Sequence, residues 1–323
     1  MAACLAGFCA ALGLDVSAAK TQTMCFGLPA DAVTPTFTYR GRTLPTADSY
    51  KYLGVTFTPT GSAADGLPGA RSKLARAHNS VRYKVDRLGC AKDVHLHLHL
   101  FDAVATQTAL SGCELWGVHP AAEQQRHKLA ALHRKYIKDI CGLPNGVCTD
   151  ALMKELGRSD IETRWLFANL RFWNNLCAQP AGSLHFELLM DAQCEALLAG
   201  TKNWVTGLRK ACRRVGFVMP LSTERAYSVD IGSVMKLHAR QLQQAWEGLG
   251  VCPRSCPSQG AAKCKYERWM ARTPRQERHL RIFRQRQSWR RMKMYLRFRL
   301  GCSLLPVVVG QRNGTARQMR YCQ

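Results

Sequence analysis

Acidic residues are scarce in this chain of 323 residues, and their distribution is as informative as their number. The sequence holds 22 Asp and Glu against 46 Lys and Arg, a formal net charge of +24. No aspartate is adjacent to another or separated from another by a single residue. Two-metal sites depend on closely placed carboxylates to hold their ions. The sequence therefore predicts no two-metal site built from a local pair of aspartates.

Long apolar runs and paired cysteines are also missing. No stretch approaches the roughly 20 apolar residues that cross a bilayer, and the amino terminus has no signal-peptide pattern. The 15 cysteines are scattered singly without a Cys-x-x-Cys pair, which is typical of a reducing compartment. We therefore expect an intracellular protein, nuclear or cytoplasmic, with no membrane partner.

Positive charge is what the chain has in excess. A field of this sign attracts phosphate polyanions, and such binding weakens with salt because counterions are released. We expect RNA, DNA or an RNA–DNA hybrid as the partner. Charge alone would also fit an acidic membrane surface, but no basic amphipathic helix adjoins an anchor.

The first 60 residues have the pattern of a small α/β unit. Apolar residues at helical spacing in residues 1–13 predict a helix that buries one face and ends at Gly13. The residues of that face are Leu5, Phe8, Cys9 and Leu12. Short strands are predicted at residues 21–26 and 37–40. Alternation in residues 50–57 predicts a further strand, bent at Gly54.

From about residue 62 onward the pattern is helical. In the first long helix the cations lie away from one apolar face, made of Leu74, Val81, Val85 and Leu88. Further helices are predicted at residues 123–140, 151–156 and 161–176, with three more between 183 and 248. Trp116 is predicted to lie in the core. The expected fold class is mostly α, with a small α/β segment at the amino terminus.

Two segments near the amino terminus carry a resemblance to a known family. Residues 13–21 are Gly-Leu-Asp-Val-Ser-Ala-Ala-Lys-Thr, and residues 50–55 are Tyr-Lys-Tyr-Leu-Gly-Val. They resemble the end of the palm domain in reverse transcriptases of LINE-type (non-LTR) retrotransposons. There, Gly-Leu-x-Val-Asn-x-x-Lys-Thr precedes a Tyr-Leu-Gly primer-grip hairpin, and Ser17 stands at the asparagine position. Residues 110–117, Leu-Ser-Gly-Cys-Glu-Leu-Trp-Gly, and residues 297–302 and 317–322 extend the resemblance along the chain.

The resemblance implies four parts. These are a palm remnant with the primer-grip hairpin (1–60), thumb-like helices (61–145), a helical connector (146–250), and a basic Arg-rich region that ends at the start of a zinc cluster (251–323). In the family, the metal-binding aspartates precede the helix that opens this chain. We therefore expect a truncated reverse-transcriptase-like protein that binds RNA or DNA backbone and polymerises nothing. No cofactor is expected for this chain, although the parent RNA-directed DNA polymerase uses Mg²⁺.

The expected site residues follow from the resemblance and from the basic patterns. Lys20 matches the family lysine that acts as general acid, but without metals no catalytic residue is expected here. At the hairpin, the expected contacts are Tyr50, Lys51, Tyr52, Leu53 and Gly54. On the thumb they are Arg71, Arg76 and Arg82. In the carboxy-terminal region, arginines surround an apolar stripe that includes Leu296 and Leu300. Those arginines are Arg281, Arg284, Arg290, Arg291, Arg297 and Arg299.

No zinc site is predicted. His95 and His99 have the i,i+4 spacing of zinc-binding helices, but no glutamate follows the first histidine and no third ligand is evident. The spacing of Cys252, Cys256 and Cys264 matches no common zinc knuckle. Cys302 and Cys322 would need two further ligands.

Three other interpretations stay open. The chain could be a free-standing helical nucleic-acid-binding protein that has reused this scaffold. It could be an assembly module, because we expect one sheet edge and one helix face of the palm remnant to lack their usual cover. It could also be an incomplete gene model of an active reverse transcriptase. Template specificity and oligomeric state are not predicted.

Overall fold

The computed structural model describes residues 2–17, 20–29, 32–39, 41–52, 54–62, 65–91 and 93–247, and residues 293, 294, 296, 297 and 300. The chain divides into two compact units, Met1–Gly69 and Ala70–Gln323. It is mostly helical with a small strand region near the amino terminus, which confirms the expected fold class. No helix in these ranges is long and apolar enough to cross a membrane. The four-part division of the chain stays a prediction.

The first unit consists of one helix and two small hairpins. Helix α1 (Ala2–Ala11) ends two residues before the predicted Gly13, which follows it in the turn with a φ of 66°. Strands β1 (Thr38–Tyr39) and β2 (Arg42–Thr43) form one antiparallel pair. Strands β3 (Tyr50–Tyr52) and β4 (Val55–Phe57) form the other.

Two strand predictions in this unit need correction. Residues 21–26 form no regular strand: Thr23 makes only an isolated parallel bridge to Thr46. Its N–H donates to the Pro45 carbonyl at 2.9 Å, and its carbonyl accepts from the Ala47 N–H at 2.8 Å. Residues 50–57 are a tight hairpin and not one bent strand, because Gly54, with a φ of 86°, reverses the chain direction.

The apolar face of α1 is not buried. Phe8 is 63% exposed and Leu12 is 58% exposed, while Cys9 is half-buried. The predicted burial of this face is therefore wrong, since no layer in the described part of the unit packs over it. Phe8 and Leu12 therefore leave apolar surface exposed on this helix.

The second unit is a stack of helices. Its long helices are α2 (Leu67–Arg87), which begins at the boundary, α6 (Glu123–Ile140), α8 (Ile161–Cys177) and α11 (Ile231–Glu247). The shorter ones are α3 (Val94–Leu100), α4 (Gln107–Leu110), α5 (Cys113–Trp116), α7 (Thr149–Leu156), α9 (Leu184–Cys194) and α10 (Trp204–Arg214). π-Helical turns occupy Phe101–Thr106 and Glu195–Ala199. The helices predicted at residues 123–140 and 161–176 and the three predicted after residue 183 are confirmed.

Helix α8 lies at the centre of this unit. Trp165 packs edge-on against Trp116, with ring centroids 5.3 Å apart, and its indole N–H donates to the Ala109 carbonyl at 3.1 Å. The fully buried Asn169 donates to the Cys113 carbonyl at 3.0 Å and accepts from the indole N–H of Trp204 at 2.8 Å. A buried amide satisfied on both sides fixes α5, α8 and α10 in one arrangement. The predicted core position of Trp116 is confirmed.

Buried histidines join α2 to the helices beneath it. The ring of His78 stacks on Tyr136 of α6 with centroids 3.9 Å apart, and lies edge-on to Phe101 at 5.7 Å. His133 lies beside Phe101 at 5.1 Å, and its Nε2 lies 3.1 Å from the Thr106 hydroxyl. Burial lowers the pKa of both histidines to about 4. These rings are therefore neutral core residues at pH 7.

Candidate nucleic-acid interface

Helix α2 separates apolar and basic side chains onto different faces. Its buried positions recur every three or four residues, as expected for a helix that packs by one stripe. They are Leu67, Ala70, Leu74, His78, Val81 and Val85. Leu88 was predicted on this stripe but is 69% exposed, because the helix ends at Arg87. The stripe holds α2 in place and leaves the remaining faces to water.

The three arginines predicted on the thumb all lie on the exposed side of α2. Arg71, Arg76 and Arg82 are exposed, and the helix contains six Lys and Arg against the single carboxylate of Asp86. Asp86 lies 4.0 Å from Arg82, an exposed i,i+4 ion pair of the kind that contributes well under 1 kcal/mol. The outward face of α2 is therefore strongly positive and has little internal neutralisation.

The contacts predicted from the sequence did not include an aromatic side chain on the same helix. Tyr83 is 61% exposed, and the Arg87 guanidinium lies 5.7 Å from the centre of its ring. The Arg87 Nη1 also lies 3.5 Å from the Tyr83 hydroxyl, at the limit of a hydrogen bond. A signal was available, since Tyr83 falls off the apolar stripe and is flanked by cations. An exposed ring beside a guanidinium provides a surface on which a nucleic-acid base can stack.

The hairpin in the first unit presents both predicted tyrosines. Tyr50 pairs with Phe57, Lys51 with Thr56 and Tyr52 with Val55. Tyr50 and Tyr52 are exposed and two residues apart, so they lie on one face of the strand, and Lys51 lies on the other. Both tyrosines line an apolar depression of about 290 Å³ within this unit, together with Phe26 and Phe57. Leu53, a predicted contact, lies outside the described residues.

Lys20 lies in an exposed turn. Its backbone N–H donates to the Ser17 carbonyl at 3.0 Å. Within the ranges that the structure describes, no three His, Cys, Asp or Glu side chains converge on a point where they could hold a metal ion. No catalytic step is assigned to Lys20.

Most of the predicted carboxy-terminal contacts lie outside the described residues. They are Arg281, Arg284, Arg290, Arg291 and Arg299. Arg297 is described: it is half-buried, and its Nη2 donates to the Gly142 carbonyl at 3.1 Å. Leu296 and Leu300 are buried, as the predicted apolar stripe requires. Arg297 thus contributes a contact to the turn after α6, and its role toward nucleic acid stays a prediction.

The histidines considered as zinc ligands lie on helix α3. His95 and His99 are exposed on α3, whereas His97 between them is buried against α2 with its ring 6.3 Å from that of His78. Burial lowers the pKa of His97 as well.

Comparison of the chain with protein-family models, curated proteins and solved structures finds no match.

Proposed function

We propose that the protein binds the sugar-phosphate backbone of single-stranded nucleic acid or of an RNA–DNA hybrid, as the thumb and primer grip of a reverse-transcriptase-like protein would. The observation that carries the proposal is the outward face of α2. Three arginines lie exposed along it. The carboxylate of Asp86 forms a weak ion pair with one of them and would compete with phosphate for it. Phosphate contacts of this kind bind the backbone without selecting a sequence.

Exposed aromatic side chains favour single-stranded nucleic acid over duplexes as the ligand. Tyr83 on α2, and Tyr50 and Tyr52 on the hairpin, each offer a ring face beside a lysine or arginine in the sequence. Stacking on such rings contributes about 1–3 kcal/mol per base, and it requires bases that are not already paired. Single-stranded RNA or DNA is therefore the first partner to test.

The binding test compares two sets of three charge removals. The variant R71Q/R76Q/R82Q removes the outward arginines of α2. The matched control R225Q/K236Q/R240Q removes three exposed cations elsewhere in the second unit. In fluorescence anisotropy with a labelled 20-nucleotide RNA at 100 mM salt, we expect the first variant to bind about 30-fold more weakly and the control about threefold. Equal losses would mean that net charge alone, and no face of α2, drives binding.

A second variant tests the stacking surface. Tyr83→Ala is expected to weaken binding to single-stranded RNA about tenfold while leaving binding to a blunt duplex unchanged, because duplex bases are already stacked. Tyr83→Phe keeps the ring and should bind as the unaltered protein does. A loss of the same size on both ligands would contradict the stacking role.

The proposal includes no polymerisation by this chain. The sequence has no Asp-Asp or Asp-x-Asp pair to hold two metals. A template–primer extension assay with Mg²⁺ or Mn²⁺ tests this directly. Incorporation of nucleotides by the purified protein would overturn this part of the proposal.

The uncovered face of α1 supports a second candidate, an assembly module that pairs with another copy of the chain. Phe8 and Leu12 give this face exposed apolar surface of the kind that marks interaction sites. Light scattering over a concentration series should then show a dimer that Phe8→Ser/Leu12→Ser converts to a monomer. A monomer at all concentrations would exclude self-assembly through this face.

A further inference from the structure

Helix α10 carries a second basic surface, whose residues are not among the contacts predicted from the sequence. Four cations lie on it within six residues, and we call them the α10 patch. They are Arg209, Lys210, Arg213 and Arg214. Lys210, Arg213 and Arg214 are exposed and Arg209 is half-buried. The patch lies in the second unit, on a different helix from the thumb arginines.

Packing and capping fix the orientation of α10. The buried side chains Val205, Leu208 and Cys212 face the core around α8. Gly207 lies so close to the Val118 carbonyl that a Cβ would collide with it, and the same Cβ would lie 3.0 Å from Pro120. At the amino end, the Asn203 side chain caps the helix by accepting from the Thr206 N–H at 3.1 Å. The opposite, basic face is therefore held toward solvent.

A single carboxylate pairs with half of the patch. Glu123, in the first turn of α6, lies 3.2 Å from the Lys210 ammonium and 3.0 Å from the Arg214 guanidinium. The hydrogen bond from Lys210, assisted by that from Arg214, lowers the pKa of Glu123. The carboxylate is thus ionised at neutral pH, and its position at a helix amino end favours the negative charge further. Lys210 and Arg214 are both more than half exposed in these ion pairs.

The other half of the patch has no such partner. In the described part of the chain, no Asp or Glu lies within ion-pair distance of Arg209 or Arg213. The Nε of Arg209 is buried from water and has no hydrogen-bond acceptor there. The patch therefore combines two cations that lack a carboxylate with two that share one.

We infer that the α10 patch binds phosphates of a nucleic-acid backbone, and that Glu123 acts as an internal counter-ion which those phosphates displace. This inference rests on the proposed function but uses a surface separate from α2. Arg209 and Arg213 are four residues apart, about 6 Å along the helix axis. Residues four apart lie on the same side of a helix, so both arginines can contact one stretch of backbone.

The displacement of Glu123 makes the inference specific. If phosphates compete with the carboxylate for Lys210 and Arg214, removing the carboxylate's charge frees two cations without adding any. The variant E123Q should then bind the backbone more tightly. If the ion pairs served only to hold α10 beside Glu123, E123Q would loosen that contact and would not tighten binding.

The experiment measures anisotropy of a labelled 20-nucleotide RNA with four forms of the full chain over 50–300 mM salt. R209Q/R213Q is expected to bind about tenfold more weakly at 100 mM, and to reduce the slope of log K against log salt by about 1.4. E123Q is expected to bind about threefold more tightly, the size of one exposed ion pair. The matched control is K236Q/R240Q, which removes two exposed cations with the same spacing from α11. It should leave the slope unchanged within about 0.5.

The outcomes separate this inference from the proposed function. Weaker binding by R71Q/R76Q/R82Q with unchanged binding by R209Q/R213Q would overturn the α10 patch and leave the proposed function standing. Equal slope changes in R209Q/R213Q and K236Q/R240Q would overturn the patch as a site. Loss of binding to phosphatidylserine vesicles in R209Q/R213Q, without loss on RNA, would assign the patch to a membrane surface and overturn the nucleic-acid assignment. Far-ultraviolet circular dichroism of each variant confirms that the helices are retained.

Discussion

The two units of the molecule differ in what they do with their apolar side chains. In Met1–Gly69, Phe8, Leu12 and the hairpin tyrosines are exposed, and the buried hydrophobic side chains described there are few. In Ala70–Gln323, three tryptophans are almost completely buried around α8. The first unit therefore presents apolar surface. The second presents positive charge outside a packed core.

The difference shows where each unit could contact a partner. An apolar face gains free energy by being covered, so it suits another protein surface or stacked bases. A basic face over a rigid helix keeps its charges at fixed spacing, so it suits a polyanion. The second unit also holds all ten histidines of the chain, and three of them are buried near α2. Four predictions would break or sharpen this contrast.

The largest expected effect is on the core of the second unit. Trp165→Ala removes a fully buried ring, its contact with Trp116 and its hydrogen bond to Ala109. We expect the free energy of unfolding of the second unit to fall by about 3–5 kcal/mol, from lost burial and the cavity that remains. Urea denaturation followed by circular dichroism measures it. A loss below 1 kcal/mol would mean that α8 is not the centre of the packing.

The next effect is the acid sensitivity of the second unit. The folded-state pKa values of His78 and His133, about 4, lie below the ordinary value of 6.5. The unfolded chain therefore binds more protons between these values, and stability falls as pH falls from 6.5 towards 4. Between pH 6.5 and 5 we expect a loss of about 1.5 kcal/mol for each histidine. Unfolding midpoints measured across this range check it.

His78→Phe isolates one of the two titrations. Phenylalanine keeps a ring against Tyr136 but binds no proton, so the loss between pH 6.5 and 5 should shrink by about 1.5 kcal/mol. The exposed His185→Gln serves as control and should leave the pH dependence unchanged. An identical pH dependence in all three proteins would show that His78 is solvated in the folded state.

A smaller effect is expected at the contact that orients α10. Gly207→Ala puts a Cβ against the Val118 carbonyl, so α10 must shift at a cost of about 1–3 kcal/mol. The exposed Ala199→Gly, also in this region, is the control and should change stability by less than 1 kcal/mol. If Gly207→Ala costs no more than the control, then α10 does not pack tightly on residues 118–120.

The smallest effect is expected in the first unit. Phe8→Ala shortens a side chain that is mostly in water, so the free energy of unfolding should change by less than about 0.5 kcal/mol. The same change in a buried phenylalanine, Phe101→Ala, should cost about 3–5 kcal/mol. A large loss at Phe8 would mean that its face is covered in solution, and the contrast between the units would fail.

Helical periodicity was sufficient for most of the fold. The bounds of α6 agree with the prediction, and α8 agrees to within one residue, because both helices have a full apolar stripe. The strand predicted at residues 21–26 failed since a strand forms only where a neighbour pairs with it, and Thr23 alone finds one. The burial of α1 failed for the same reason: an apolar stripe says which face would pack, not whether a partner exists.

The candidate site was predictable in part. The exposure of Arg71, Arg76 and Arg82 follows from their positions off the apolar stripe of α2. The ion pairs of Glu123 could not be predicted, because Lys210 and Arg214 lie far along the chain and reach it only where α10 packs against residues 118–120, just before α6. The burial of the histidines could not be predicted either, because His78 occupies a position on the apolar stripe that a leucine could fill.

The central claim is that outward cations of the second unit bind nucleic-acid backbone, and its most direct test is the salt dependence of binding by the unaltered protein. Affinity for a labelled single-stranded RNA should be measured between 50 and 300 mM salt. Three arginine–phosphate contacts on α2 predict a slope of log K against log salt of about −2 or steeper. In R71Q/R76Q/R82Q the slope should become shallower by about 2. A slope near zero, or one that these substitutions leave unchanged, would contradict the account.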